Sequence, residues 1–415
     1  MKATVVVSQL GARMHYAVPR IFAADGTLRH FYTDICATKG WPRLLSRFPR
    51  QFLPTALRRL AGRNVPPQIP TELITVFPAF GITSALKRLR VKNTSGETSH
   101  AIWAGARFSK LVSRNGFHGA TGLYAFSGDA LEQIQTARHL GMWTAVEQMI
   151  APRGVLEALI LEEMQRFPDW EGLARRDPLD TIFAARERAE WHLADRVICP
   201  SEFVARNVVA EGGCPEKCLV VPYGVDNTFR CERTRRMPGP LRILVVGAVG
   251  LRKGSPYVAE AARQLGRSAV FRMAGSAKLS ESVTRNLSES VDLRGIVPRS
   301  EIAAEFQWAD VFLLPSLCEG SATAIYEALS TGLPVITTEN AGSVIRNGLE
   351  GLVVPIRDAG AIAEAVTYLA DNESARLQMA TNAIERAADF TVARYGERLL
   401  LALSTLPAER RRPLP

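Results

Sequence analysis

Residues 241–254 read LRILVVGAVGLRKG, an apolar strand that runs into a turn carrying Gly247, Gly250 and Gly254 together with Arg252 and Lys253. A helical pattern follows through Tyr257, Val258, Ala261, Ala262 and Leu265. The N-terminus has the same shape: ATVVVS at 3–8, the turn QLGARMHY at 9–16, then an apolar segment from Val18 to Phe22. Each is the opening unit of a parallel α/β domain. Short apolar strands alternate with helical segments throughout: ELITVF, GLYAF, MWTAVE, DRVIC and CLVVP in the first half, VFRMAG, VDLRG, DVFLLP, PVITT and GLVVP in the second. This alternation predicts parallel sheets with helices on both faces. The expected division is a first domain over 1–225, a polar and basic linker at 226–240 (DNTFRCERTRRMPGP), and a second domain over 241–388. A helix within 389–415 is expected to return towards the first domain and to end in a frayed basic tail. The cleft between the domains is the expected binding site.

The length of 415 residues exceeds one ordinary core, and 47% hydrophobic with 22% charged residues excludes a disordered or fibrous chain. No leader pattern and no spanning apolar stretch is legible, and six cysteines without a paired C-x-x-C array read as reduced thiols, which together predict a cytoplasmic protein. The Cys214–Cys218 spacing is a poor zinc signal without nearby partners. The formal net charge of +10, from 51 Lys and Arg against 41 Asp and Glu, favours an anionic partner. Residues 35–71 hold Lys39, Arg43, Arg47, Arg50, Arg58, Arg59 and Arg63 and no acid.

Residues 313–329, LLPSLCEGSATAIYEAL, form a strand, a turn of small residues and a helix start. The amides of Gly320, Ser321, Ala322 and Thr323 are expected to be free there, an anion site in the making. Glu319 falls in the loop and Glu327 about two helical turns later, where carboxylates can accept hydrogen bonds from sugar hydroxyls. The alternative is a capped helix with one solvated glutamate. In GAVGLRKG the glycines let backbone approach a ligand and the cations suit a diphosphate; the alternative is a surface turn. The spacing is not a dinucleotide fingerprint, and Lys253 lacks the Ser or Thr of a Walker motif.

Five segments in order, ADRVICPSEFVARNVV, VPYGVDNTF, LVVGAVGLRKG, LRGIVPRSEIAAEFQWADVFLLPSLCEGSATAIYEALSTGLPVIT and GSVIRNGLEGLVVP, span nearly all of Asp195 to Val354. This run resembles the retaining glycosyltransferases of family 4. The resemblance implies an α/β fold of two facing Rossmann-like domains, the GT-B type, with a deep interdomain cleft. It implies that Arg252 and Lys253 face the diphosphate of a nucleotide-sugar donor, with Gly247, Gly250 and Gly254 shaping that loop, and that Gly320, Ser321, Ala322 and Thr323 hold it by their amides. Glu319 would sit against the transferred sugar and Glu327 would grip the ribose. The strand end from Arg294 to Val297 would border the base. Ala248 departs from the family pattern, in which many members carry Arg after the first glycine; Arg252 is the expected replacement.

On the acceptor side the resemblance points to the first loop, with Gly11, Arg13 and His15, although a lone loop histidine is more often merely solvated. Many family members have a histidine where this chain reads Glu147-Gln148, making Glu147 a candidate catalytic carboxylate. No D-x-D triplet occurs, so no metal and no cofactor are expected. The leading expectation is metal-independent, retaining sugar transfer to a glycan or glycolipid in polysaccharide or glycolipid assembly. The alternatives are a sugar-nucleotide epimerase or phosphorylase, or a non-catalytic sugar-nucleotide-binding protein. No nucleic-acid partner is expected, since the basic segment lacks a recognition module. In that segment Trp41, Leu44, Leu45, Phe48, Phe52, Leu53, Leu57 and Leu60 interleave with the cations. This predicts either an anionic-membrane element, placing the protein peripherally at the inner face, or a helix packed on the first sheet.

Overall fold

The computed structural model describes residues 3–47, 53–91, 93–172, 175–226 and 239–406. Its first sheet comprises β1 (Val5–Ser8), β2 (Leu28–Thr33), β3 (Ile74–Val76), β4 (Gly122–Phe126), β5 (Trp143–Glu147), β6 (Arg196–Cys199) and β7 (Cys218–Val220). The order is β3-β2-β1-β4-β5-β6-β7 with parallel pairings. The second comprises β8 (Leu241–Val246), β9 (Ala269–Ala274), β10 (Val291–Gly295), β11 (Val311–Leu314), β12 (Val335–Thr337) and β13 (Gly351–Val353). Its parallel order is β10-β9-β8-β11-β12-β13, the doubly wound arrangement in which the crevice opens where the strand order reverses, between β8 and β11. Two facing Rossmann-like domains are therefore present.

Because both faces of each sheet are covered, β1, β4, β5, β11 and β12 are buried throughout, which explains their unbroken apolar runs. β2 is the strand that the sequence pattern did not show. It reads LRHFYT, and its polar residues find partners: His30 Nε2 lies 2.8 Å from Thr75 Oγ1, and the Tyr32 hydroxyl donates to the Gly116 carbonyl at 2.9 Å. The helix Val392–Leu403 lies on the first domain, where Tyr395, Leu399 and Leu403 are buried in one cluster with Val18, Ile21 and Phe22. The Val225 amide donates to the Phe390 carbonyl nearby. The first sheet ends at Val220 and the second begins at Leu241; residues 227–238 of the expected linker, and the basic tail from 407, lie outside the described residues.

One helix joins the two domains. In Arg153–Arg166 the first residue is tied to the first domain, Arg153 pairing with Asp180 at 2.6 Å and donating its amide to Glu187 at 2.7 Å. Near its other end Glu163, wholly buried, accepts from the Tyr257 hydroxyl at 2.7 Å and pairs with Arg357 at 2.5 Å, both in the second domain. Phe167 and Trp170 then pack against the second core, and Glu171 accepts from the Leu251 amide at 2.6 Å.

His30 is 6% exposed and stacks on the His118 ring at 3.9 Å between centroids. Burial, then the charges of His118, Lys39 and Arg29, push its pKa down to about 4. The unfolded chain, with an ordinary histidine near 6.5, therefore takes up a proton that the folded chain refuses, so this contribution is complete above pH 6.5 and is lost as pH falls towards 4. Between pH 7 and 4.5 we expect wild type to lose about 2 kcal/mol more stability than His30→Phe, which keeps the stacked ring. Urea titrations at both pH values measure this; equal losses would refute it.

Candidate active site

The loops that follow β8 and β11 meet at the reversal of strand order. Gly254 has φ +71° and lies against the Pro315 carbonyl, which a side chain at 254 would overlap. This left-handed residue turns the chain into the helix Ser255–Leu265. Gly247, at φ +146°, accommodates the Lys253 side chain, whose Cε would stand 3.0 Å from an added Cβ. Gly250 serves another purpose than ligand approach: a Cβ there would overlap the Glu171 carboxylate.

Lys253 and Arg252 converge on one carboxylate. Lys253 Nζ is 2.6 Å from Glu319 Oε1, and Arg252 pairs with the same oxygen while donating to the Cys318 carbonyl at 3.0 Å. Burial lowers the Lys253 pKa, with the Glu319 charge opposing the shift. Two cations thus share a single anion in a poorly solvated loop, and a second anion can be accepted there. The expectation of four free amides needs one correction: Ala322 donates to the Ala341 carbonyl at 3.2 Å, because the chain at 339–342 folds back along the loop. The amides of Gly320, Ser321 and Thr323 have no hydrogen-bond partner among the described residues, and Thr323 opens the helix Thr323–Ser330. Glu327, on the second turn of that helix, is buried and pairs with Arg299 at 2.5 Å. Burial raises its pKa, opposed by Arg299 and by the charge of His15 from the first domain. Val297 is half-buried against the second core, while Arg294 pairs with Glu305 at 3.3 Å.

The first domain contributes the loop after β1. Gly11, at φ +73°, donates its amide to Asp34 at 3.1 Å, and Asp34 also pairs with Arg63 at 2.8 Å. Arg13 lies over the Phe126 ring at 5.7 Å and contacts Met149. Met14, His15 and Tyr16 all have positive φ (45°, 50° and 60°), a run of strained non-glycine residues on the order of 1 kcal/mol each. His15 is close enough to the second domain for its charge to act on Glu327. Domain contact is close: Ser201 donates to the Gly320 carbonyl at 2.6 Å, and a side chain at Gly320 would overlap the Met149 carbonyl.

Glu147 does not reach the cleft, a correction to its reading as a catalytic carboxylate. It is 1% exposed and accepts from the hydroxyls of Tyr124 at 2.5 Å and Tyr223 at 2.8 Å. Burial raises its pKa, with the tyrosine hydrogen bonds opposing. Gln148 is buried on the opposite side, bonded to Trp191 at 2.9 Å and Glu187 at 2.8 Å. Sequence reasoning missed Asp34, Arg299 and Asp129. Asp129, in the loop after β4, is 3% exposed, and its Oδ1 has no partner among the described residues. Burial pushes its pKa up to about 7, against the charges of Arg13 and Arg186. Its only signal in the sequence was its place just beyond the apolar run GLYAF. Among the described residues no group of three or more His, Cys, Asp and Glu side chains is placed to hold a metal ion.

Residues 240–372 match Glycosyl transferases group 1. The chain resembles the amylovoran biosynthesis glycosyltransferase AmsK of Erwinia amylovora, 33% identical over 180 residues that cover 39% of this chain and 44% of that protein. It also resembles the UDP-Gal:alpha-D-GlcNAc-diphosphoundecaprenol alpha-1,3-galactosyltransferase of Escherichia coli, 27% identical over 216 residues covering 46% and 54%. The chain spans about half the length of the curated relatives it matches. The whole fold superposes on sucrose-phosphate synthase from Thermosynechococcus elongatus with TM-score 0.65, 16% identity and coverage of 98% and 99%. It superposes on Anabaena HepE, solved in complex with UDP, with TM-score 0.60, 15% identity and coverage of 97% and 100%. The architecture is thus the GT-B fold.

Proposed function

We propose that the chain transfers a sugar from a nucleotide-sugar donor to a glycan or glycolipid acceptor, with retention at the anomeric carbon and without a metal. The observation that carries this reading is the convergence of Lys253 and Arg252 on Glu319 beside the unpartnered amides of Gly320, Ser321 and Thr323. A donor diphosphate would take over the cations and the amides, leaving Glu319 to bind the transferred sugar and Glu327 the ribose. The C1–O bond to phosphate breaks as Lys253 and Arg252 stabilise the leaving diphosphate. The acceptor oxygen then bonds C1 on the same face, and its proton passes to the departing phosphate oxygen. His15, whose charge acts on Glu327, and Arg13, over the Phe126 ring, would border the acceptor. Polysaccharide or glycolipid assembly is supported by AmsK and the galactosyltransferase, whose names state such roles. We place the reaction in the cytoplasm, at the inner face of the membrane.

The test is incubation of the purified chain with nucleotide sugars and polyprenyl-diphosphate-linked glycans, reading transfer and anomeric configuration by NMR. Retained configuration in an acceptor-dependent product supports the reading. Inversion counts against retention, and an epimerised donor without acceptor would establish the other enzyme class. In the same assay EDTA is expected to change the rate by less than about twofold, because side-chain cations and amides perform the charge stabilisation that a metal can supply. Complete loss restored by Mg²⁺ or Mn²⁺ would contradict it.

A further inference from the structure

From Ile35 to Gly96 the chain holds eleven Lys and Arg residues and one acid, Glu72, a surplus of ten. That equals the net charge of the whole chain, +10, so the remaining residues balance forty cations against forty acids. The surplus is therefore a local property of one part of the first domain. This part follows the carboxyl ends of β2 and β3, the two strands at one edge of the first sheet, and so flanks the cleft rim.

Some of these cations look inward. Arg63 pairs with Asp34, Lys39 donates to the carbonyls of Thr71 and Ile74, and Arg58 donates to the Leu53 carbonyl. Leu53, Leu57 and Leu60 pack with Ala61 as a small internal cluster, so they do not form an outward apolar face. Phe48, Arg50 and Phe52 lie outside the described residues.

The outward face lies on the next helix, Pro78–Leu89. Its inner side buries Phe80 and Gly81, the latter against Ile35. Its outer side carries Ile82, Leu86 and Leu89 at 41%, 56% and 78% exposure, spaced four and three apart and so on one line. Arg90 flanks that line and Arg88 stands exposed beside Leu89 at the helix end, while Lys87 turns to the Trp103 ring at 4.7 Å; elsewhere in the basic part Trp41 and Leu44 are 43% and 50% exposed. One exposed leucine is ordinary, but three aligned among cations are not.

We propose that the helix Pro78–Leu89 docks the protein on an anionic phospholipid surface, its line of Ile82, Leu86 and Leu89 entering the lipid interface while Arg88 and Arg90 meet the phosphates. An apolar line bordered by cations is what an interfacial helix presents. A nucleic acid offers phosphates but no apolar layer to receive the three side chains. The inference goes beyond the transfer reaction and holds whatever the donor.

The test is co-sedimentation of the full chain with phosphatidylcholine vesicles, with and without phosphatidylglycerol, at low and high salt. Wild type is expected to bind the anionic vesicles at low salt and to be released by salt. Arg88→Gln/Arg90→Gln should weaken binding by on the order of tenfold or more, since each cation near such a surface is worth about a fivefold change. Leu86→Glu/Leu89→Glu should abolish it. All four positions lie outside the cleft loops, so melting temperature and transfer to a water-soluble acceptor should match wild type, which separates lost docking from misfolding. Equal binding by wild type and either variant, equal binding to neutral and anionic vesicles, no binding at low salt, or preferential capture by a random-sequence RNA would each overturn the proposal.

Discussion

Lys253→Ala is expected to depress sugar transfer by about two to three orders of magnitude, corresponding to roughly 2.7–4 kcal/mol of lost transition-state stabilisation. The side chain is 12% exposed, held between Gly247 and Glu319, so its charge acts through little water. Arg252 shares Glu319 but is 34% exposed, and its contribution is more screened. The loss should fall on kcat more than on KM, because charge accumulates on the diphosphate as the C1–O bond breaks. Lys253→Arg is not a conservative control, since the cavity beside Gly247 fits a slim methylene chain. Steady-state kinetics with a saturating acceptor measure the effect, and wild-type turnover by Lys253→Ala would remove this residue from the reaction.

The largest effect on stability is expected at Glu163. Its truncation to alanine leaves the Tyr257 hydroxyl without its acceptor and the Arg357 guanidinium held only by the half-exposed Glu162, at 2.7 Å, and the Leu159 carbonyl. Breaking a buried pair from one side costs about 3–5 kcal/mol, or roughly 6–20 °C of melting temperature for domains of this size. Glu163→Gln keeps an acceptor for Tyr257 and should lose less. Differential scanning calorimetry checks both; a melting temperature of Glu163→Ala within a degree of wild type would show that the contact contributes nothing.

Reading the sequence recovered the strands whose two faces are both buried, because burial on both sides writes an unbroken apolar run. It passed over β2, where Arg29, His30 and Tyr32 interrupt that run and are reconciled only by Thr75, Gly116 and His118 from distant segments. The proposed donor side was legible for a similar reason: Gly247 to Gly254 and Glu319 to Glu327 are each local in sequence, so the two loops can be picked out from their spacing, and the family resemblance supplies their roles. The acceptor side was not. Asp34, Arg63, Asp129 and Met149 gather around the first loop from four separate stretches, and the left-handed run Met14–Tyr16 carries no glycine to announce it. Glu147 shows the limit most clearly. Adjacent strand residues point to opposite faces, and both faces at 147 and 148 are covered, one by tyrosines and one by Trp191. No pattern within the strand says that a helix arriving some 250 residues later, near Tyr395, will help to close the first of them.

The helix Arg153–Arg166, anchored to the first domain by Arg153 and to the second by Glu163, works as a tie-rod about 15 Å long between its anchors. A rod pinned at both ends fixes a separation but leaves rotation free. Drawing the lobes apart along the rod would break the Glu163 contacts, and turning them about it would strain the Ser201–Gly320 contact. Glu171 extends the rod to the Leu251 amide, one residue before Arg252. Any shift of the lobes is thus passed to the two cations proposed to hold the donor, and the angle between the lobes becomes a setting of their aim.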